Sequence, residues 1–215
     1  MTPRIGPPTL AEDVLLVLHQ FRPGPEALAG AVLADLSLGE HVRTLPGRGG
    51  STRVEAVAER PPADDILRSA WEFLRSRPRG VQAALAEIGP TLLGPVRQRL
   101  MRRGDVNINP DALAEPGARR RGRLLSGVRE MLVDGKAEAP QRIAALAALI
   151  SASGMLRRLD PEIPWTPAVV ARAERLENDV WGARAVAEAL ARSVAAALAG
   201  NMIVAAAVLQ SRDRC

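Results

Sequence analysis

The sequence contains very little cysteine, lysine or aromatic residue. Cys215 is the only cysteine, so no disulfide can form within the chain, and a reducing compartment is the default expectation. Aromatic residues make up 2% of the chain and tyrosine is absent, which argues against a platform that stacks single-stranded nucleic acid bases. Lys136 is the only lysine among 29 lysine and arginine residues, so the excess positive charge, formally +5, is arginine charge.

Sequence motifs of enzymes and metal sites are also missing. The two histidines, His19 and His41, are far apart, and no HExxH pattern or cysteine pair suggests metal binding. No glycine-rich phosphate-binding motif follows a strand. The Asp64-Asp65 pair lies at a predicted helix start, where carboxylates cap backbone N–H groups. We therefore expect no metal, no cofactor, no catalytic residues and no enzyme activity.

The chain also lacks an apolar run of the length that spans a membrane. The most apolar stretch, Ser193 to Leu209, is shorter than the roughly 20 residues expected of a spanning helix. Gly200-Asn201 interrupts it, so we expect a buried core helix and a protein that is soluble without detergent. The first residues have no apolar signal-peptide region. The expected location is cytoplasmic.

The patterns that are present predict a mainly α fold with one or two short β-hairpins. Thr9 and Glu12 have capping-box spacing at the start of the first helix. Two β-prone runs lie between His41 and Val57, and the turn-forming segment Pro46 to Gly50 separates them, which predicts a hairpin. The other predicted helices cover Glu26–Leu38, Asp64–Arg75, Gly80–Ile88, Leu124–Val133, Pro140–Leu159, Thr166–Glu177 and a last helix from Asp179. We expect one compact domain over residues 9–210, with Ile143–Ile150 at its centre and a flexible N-terminus over residues 1–8.

Arginine clusters in two neighbouring segments. The first is helix-compatible, ends at Gly104 and leads into a β-prone run at Val106–Ile108 with a turn at Asn109-Pro110. The second follows in what we expect to be an exposed, mobile hairpin loop. The clustered residues are Arg97, Arg99, Arg102 and Arg103, then Arg119, Arg120, Arg121 and Arg123. Such a unit can bind the phosphate of a nucleic acid or a lipid headgroup; alternatively, the first cluster is a solvated helix end whose cations complement the helix dipole.

Several segments together resemble the Golgi phosphoprotein 3 family, in the form found in bacteria and especially actinobacteria. They are Leu10–Leu18 (LAEDVLLVL), Leu28–Leu38 (LAGAVLADLSL), Arg60–Leu67 (RPPADDIL), Val96–Val106 (VRQRLMRRGDV) and Gln141–Leu156 (QRIAALAALISASGML). Their order and spacing, with the alanine-rich final helix, carry the resemblance over about Thr9 to Leu209. It implies a largely helical domain with a β-hairpin. It also implies binding of phosphatidylinositol 4-phosphate at a membrane surface, as in the family's eukaryotic peripheral adaptors.

The residues that bind the headgroup in that family are not retained here. The family uses a tryptophan and an arginine near its second helix, but this chain has FRPGPEALAG there, with Ala29 at the arginine position. Pro90 and Leu93 occupy the positions of two further arginines on the helix that ends at Gly104. The family's membrane-inserting hairpin is apolar, whereas the segment after Gly104 is mostly polar and basic. The resemblance therefore implies the fold and lipid binding, with weak discrimination among phosphoinositides.

We interpret the chain as a peripheral membrane protein whose arginine-rich face binds anionic phospholipid with phosphatidylinositol 4-phosphate-like headgroups. The eight clustered arginines are its predicted headgroup site. We expect Arg99 and Arg103 to be exposed, so that replacing both by glutamate abolishes liposome binding without unfolding the domain. Arg142 is expected to pair with Glu138, four residues earlier. The alternative is a winged-helix-like DNA-binding module, in which the helix before Gly104 reads the duplex and the following hairpin is the wing. The sequence does not specify a protein partner or an oligomeric state.

Overall fold

The computed structural model describes residues 6–47, 51–107, 112–136, 140–185 and 187–188. Seven helices, three short strands and one 3-10 helix are bounded within these residues. In chain order they are α1 (Leu10–Val17), α2 (Pro25–Leu38), β1 (Val42–Pro46), β2 (Thr52–Ala56), α3 (Asp65–Arg75), β3 (Arg79–Gly80), α4 (Val81–Arg102), α5 (Glu115–Leu132), α6 (Gln141–Ala152), the 3-10 helix Leu156–Leu159 and α7 (Pro167–Asp179). The fold is mainly α, as the sequence predicts.

Three helices begin at side-chain caps that the sequence predicts. At α1 the Glu12 N–H donates to Thr9 Oγ1 (3.3 Å), and the Thr9 N–H donates to Glu12 Oε2 (2.7 Å), which completes a capping box. Asp64 accepts from the Ile66 N–H at 3.0 Å at the start of α3, and Thr166 caps α7. These starts are set locally, because each side chain satisfies N–H groups that have no partner within the helix.

The predicted hairpin at His41–Val57 is confirmed. β1 and β2 pair antiparallel, with Val42 opposite Ala56 and Pro46 opposite Thr52. The two-residue strand β3 pairs antiparallel with β2 and leads directly into α4. Strand β3 could not be predicted from the sequence, because two residues are too few to show an alternating pattern.

The hydrophobic core is centred on α2 and α6. Every residue of α2 from Ala27 to Leu36 is buried, and α6 is buried continuously from Ala145 to Ile150. One hydrophobic cluster joins these helices to the inner faces of α1, α3, α4, α5 and α7. The predicted central position of Ile143–Ile150 is confirmed, although Ile143 itself is only partly buried.

The predicted helix end at Gly89-Pro90 is wrong. Helix α4 continues through Pro90 and Pro95 to Arg102. Each proline removes one backbone donor, but the helix keeps a buried stripe (Leu85, Ile88, Leu92, Val96 and Leu100) against the rest of the core, and this packing outweighs the loss. Gly89 has a packing role, since a Cβ there would lie 2.8 Å from the carbonyl oxygen of Pro25.

The predicted mobile loop at Arg119–Arg123 is also wrong. Helix α5 begins at Glu115, with Pro116 in its first turn, and carries all four arginines of this segment. A single antiparallel bridge, Val106 to Leu113, is what the described residues show of the predicted second hairpin. Helix α6 ends at Ala152, short of the predicted Leu159; Gly154, with φ +70°, separates it from the 3-10 helix.

The predicted core helix from Ser193 to Leu209 lies outside the described residues. Within the part of the chain that is described, no helix combines the length and the apolar character needed to cross a membrane.

Candidate functional site

The eight arginines of the predicted headgroup site do not form one exposed face. Four of them make ion pairs with carboxylates of other elements, and these are Arg99, Arg103, Arg120 and Arg121. Arg119 is exposed, and its ion-pair partner among the described residues is Glu115, one turn earlier on α5. Arg97, Arg102 and Arg123 make no ion pair with any described residue, and they are partly or fully exposed. The two groups therefore have different roles.

Arg99 is buried, which contradicts its expected exposure. Its side chain is 4% exposed and bonds to Asp64 and Asp65 at the start of α3, with the Glu12 carboxylate 3.8 Å away. Arg103 donates through Nε to Glu12 Oε1 at 2.5 Å, and its side chain is also mostly buried. The end of α4 packs against the starts of α1 and α3. The cations at the C-terminus of α4 consequently meet the carboxylates that cap those two helices.

A second set of ion pairs joins α1, α2, α5 and α6. Asp13 accepts from Arg120 at 2.6 Å and from Arg142 at 2.7 Å. Arg120 also bonds to Asp105, and Arg142 bonds to Asp35 on α2 at 2.8 Å. Among the described residues, the ion-pair partners of Arg142 are thus Asp13 and Asp35; Glu138, its predicted partner, lies outside the described residues. These buried carboxylates link four helices through ion pairs, and the sequence analysis did not identify them.

The paired arginines also hold backbone carbonyl groups in place. Arg103 donates to the Gly6 carbonyl at 2.6 Å, and Arg142 donates to the Pro8 carbonyl at 2.7 Å. Arg121 donates to the Val17 carbonyl at 3.1 Å and grips Glu162 with two bonds of 2.6 and 2.7 Å. The hydrogen bonds from Arg121 lower the pKa of Glu162 below its usual value. These arginines are committed to the fold.

Asp35 gives the ion-pair network a measurable pH dependence. Burial raises the pKa of Asp35 to about 6, against the opposing attraction of Arg142. The folded state therefore binds more protons than the unfolded state between about pH 4 and about pH 6, so this group's contribution to stability falls as the pH rises through that window.

Asp35→Asn is expected to remove this component, because the asparagine side chain is neutral at every pH in the window. The free energy of unfolding of the wild type, measured by urea denaturation relative to the variant, should then be greater near pH 4 than near pH 7. A difference between the two proteins that does not change with pH would contradict the raised pKa.

Arg97 lines a pocket together with a cation that the sequence did not single out. The pocket encloses about 230 Å³ between the end of α1, the turn that follows it, and the middle of α4. Exposed Arg22 and half-buried Arg97 supply its positive charge. Its remaining walls are Leu15, His19, Pro23, Leu93, Leu100 and Val106. Two guanidinium groups beside apolar walls are suited to a phosphate ester, because each guanidinium presents a planar fork of donors.

One of the positions that the family resemblance assigns to the headgroup site lines this pocket, whereas Ala29 and Pro90 are not among its lining residues. Leu93, at the position of an expected arginine, lines it, and Arg97 follows one helical turn later. Arg22 is in the shortened FRPGP turn and has a φ of +49°. The position of Arg22 in that turn could have identified it as a candidate site residue from the sequence, because the family's tryptophan is expected in the same region.

Arg102 does not join Arg97. It lines a separate cavity of about 550 Å³ with Asp64, Asp65 and Arg99, where acidic and basic groups are mixed. Positions 97 and 102 differ by about 140° around a helix, which explains the separation. Among the described residues, no group of three or more histidine, cysteine, aspartate or glutamate side chains is arranged to hold a metal ion.

The family model described as Golgi phosphoprotein 3 (GPP34) matches residues 10–193, which is most of the chain. No curated protein matches it significantly.

Proposed function

Because the chain belongs to the Golgi phosphoprotein 3 family, we propose that it is a peripheral membrane protein that binds anionic phospholipid. Membership of this family fits a lipid-binding role in general. The finer proposal is that headgroups of the phosphatidylinositol 4-phosphate kind bind in the pocket lined by Arg22 and Arg97. The protein would act at the cytoplasmic surface of a membrane, without enzyme activity.

The observation that carries this proposal is that Arg22 and Arg97 line the same pocket. Neither side chain makes an ion pair with a described residue, unlike Arg99, Arg103, Arg120 and Arg121. Their charge is thus available to a ligand. A cation near an anionic bilayer contributes about 1 kcal/mol of binding free energy. Arg119 and Arg123, exposed on α5, add to the general attraction without belonging to the pocket.

The proposed binding is sensitive to salt and weakly selective. Exposed charges are screened as the Debye length falls from about 10 Å at 0.1 M salt to about 3 Å at 1 M. The pocket offers two guanidinium groups, and its other walls are mostly apolar, so few groups are present to read the substitution pattern of an inositol ring. Affinity should follow the charge density of the headgroup.

Arg97→Glu tests the site directly. Reversing this charge changes the local charge by two, so binding to anionic vesicles should weaken by about 2 kcal/mol, or about thirtyfold. The measurement is co-sedimentation with phosphatidylcholine vesicles containing phosphatidylglycerol, cardiolipin or phosphatidylinositol 4-phosphate. Arg175→Glu is the matched control, because Arg175 is an exposed arginine on α7 whose described hydrogen bond goes to the Ala171 carbonyl of the same helix. It should bind much more tightly than Arg97→Glu.

Three results would count against this function. Equal loss in the two variants would mean that total charge, and not the pocket, governs binding. Failure of the wild type to sediment with any anionic vesicle would overturn lipid binding. Salt-sensitive retardation of duplex DNA would favour the winged-helix alternative. The structure offers that alternative little support, since Arg99 and Arg103 are engaged in ion pairs and the segment after Gly104 leads into α5.

A further inference from the structure

Large apolar side chains at the described surface are few, and two of the four lie on α4. Among the described residues, those classed as exposed are Leu38, Leu93, Met101 and Trp165. Leu93 is 50% exposed and Met101 is 40% exposed, and both belong to α4. A single exposed leucine is common on protein surfaces, whereas two large apolar side chains on one helix can form a continuous apolar surface if their spacing places them on the same side.

Leu93, Arg97 and Met101 follow one another at intervals of four residues. Side chains at this spacing lie one above the next on a helix, within an arc of about 80°. The stripe is about 12 Å long, from the helical rise of 1.5 Å per residue. The neighbouring side of α4, offset by about 100° around the helix, packs into the core through Leu92, Val96 and Leu100. The stripe thus alternates apolar, cationic and apolar side chains on the outer side of a well-packed helix.

We propose that the stripe formed by Leu93, Arg97 and Met101 is the surface that enters the headgroup region of an anionic bilayer, with α4 lying along the membrane plane. The inference rests on the proposed function and adds the orientation of the protein on the membrane. Charge selects the bilayer as the occupant, because Arg97 lies within the stripe and Arg22 lies across the pocket that Leu93 lines. An arginine can place its apolar stem among lipid chains while its guanidinium remains with the phosphates.

The stripe would supply what the segment after Gly104 lacks. That segment is mostly polar and basic in sequence, so it offers no bulky apolar side chains for insertion. Burial of Leu93 and Met101 adds a hydrophobic contribution that salt does not screen. Binding should therefore have two components: an ionic one that disappears at high salt and an apolar one that persists.

Site-directed fluorescence distinguishes this orientation from other modes of binding. Cys215 is the only cysteine, so Leu93→Cys and Met101→Cys in a Cys215→Ser background each give one site for an environment-sensitive NBD label. The matched control is Leu38→Cys, since Leu38 is 41% exposed at the far end of α2, about 20 Å from the end beside the pocket. With phosphatidylcholine–phosphatidylglycerol vesicles, labels at 93 and 101 should shift to shorter wavelength and be quenched by spin-labelled acyl chains, whereas the label at 38 should not.

The effect on affinity provides a second measurement without a label. Leu93→Ser should weaken vesicle binding about tenfold, and the loss should persist at high salt, because the removed contribution is apolar. Leu38→Ser should bind like the wild type.

The possible failures are distinguishable. Vesicle binding with labels at 93 and 101 remaining in water would overturn the orientation while leaving the proposed function intact. Equal quenching at 38 would also overturn it. Absence of any wild-type binding to anionic vesicles would overturn both proposals.

Discussion

Replacement of Arg99 by glutamate is expected to destabilise the protein by about 4 kcal/mol or more, because removing one partner of a buried ion pair leaves the others uncompensated. The Arg99 side chain is 4% exposed and is bonded to Asp64 and Asp65, with fully buried Glu12 close by. A glutamate would add a fourth carboxylate to this group. The measurement is the midpoint of urea denaturation at neutral pH.

Arg102→Glu is the matched control for Arg99→Glu. It introduces the same charge change three residues later on α4, at an exposed side chain that makes no ion pair with a described residue. Its effect on the free energy of unfolding should stay within about 0.5 kcal/mol. Equal stability of the two variants would show that Arg99 does not hold the helix ends together. The contrast also means that loss of liposome binding in Arg99→Glu would report unfolding, so the charge of the lipid site has to be tested at Arg97 and Arg22 and not at Arg99.

Local features of the fold could be predicted from the sequence. Thr9, Asp64 and Thr166 cap helices through bonds to N–H groups two or three residues away, so the sequence window that forms each cap also displays it. The hairpin between β1 and β2 is similar, since its turn and both strands are contiguous. The family match over residues 10–193 agrees with the resemblance that the order of these segments indicates.

Features that depend on distant partners could not be predicted in the same way. Proline and glycine normally end a helix, and nothing near Pro90 shows that the packing of Leu92 and Val96 carries α4 onward. Similarly, Asp13 accepts hydrogen bonds from Arg120 and Arg142, which are more than 100 residues away in sequence. The sequence feature that could have indicated these buried ion pairs is an acidic residue within an apolar helical run, such as Asp35 between Ala34 and Leu36.

The candidate site was only half predictable for the same reason. Arg97 belongs to the predicted cluster, but its partner in the pocket is Arg22, which precedes it by 75 residues and lies in a turn. The arginines next to Arg97 in sequence are on other faces of α4 or are paired with carboxylates. Sequence clustering measures proximity along the chain, whereas a ligand experiences the charges that remain unpaired at one surface.

Gly117→Ala is expected to cost about 3 kcal/mol of stability through overpacking against the backbone. Gly117 is in the first turn of α5, against the segment that follows α4. A Cβ there would lie 2.7 Å from the carbonyl carbon and 2.9 Å from the Cα of Asp105, and closer still to the carbonyl oxygen. That oxygen also accepts the Ala114 N–H at 3.0 Å, so it cannot move without losing this bond.

Gly122→Ala provides a control of opposite sign on the same helix. An added Cβ at Gly122 meets no atom within 4 Å, and the residue is exposed. Alanine is preferred to glycine in a helix interior by about 1 kcal/mol, so this variant should be more stable than the wild type. Thermal and urea denaturation of the two variants would measure both effects. Destabilisation by both substitutions would mean that α5 tolerates no added methyl group, and the specific contact with Asp105 would lose its support.

The close approach at Gly117 also determines where the α5 arginines can reach. Arg120 is one helical turn later and bonds to both Asp105 and Asp13, so a shift of the first turn would pull it from two buried carboxylates. Gly117→Ala should therefore lose part of its stability through these ion pairs. Asp105→Asn, which weakens one of them, should cost less in the Gly117→Ala background than in the wild type, because neighbouring effects are not additive. Strict additivity of the two substitutions would show that the glycine contact and the Arg120 ion pairs act independently.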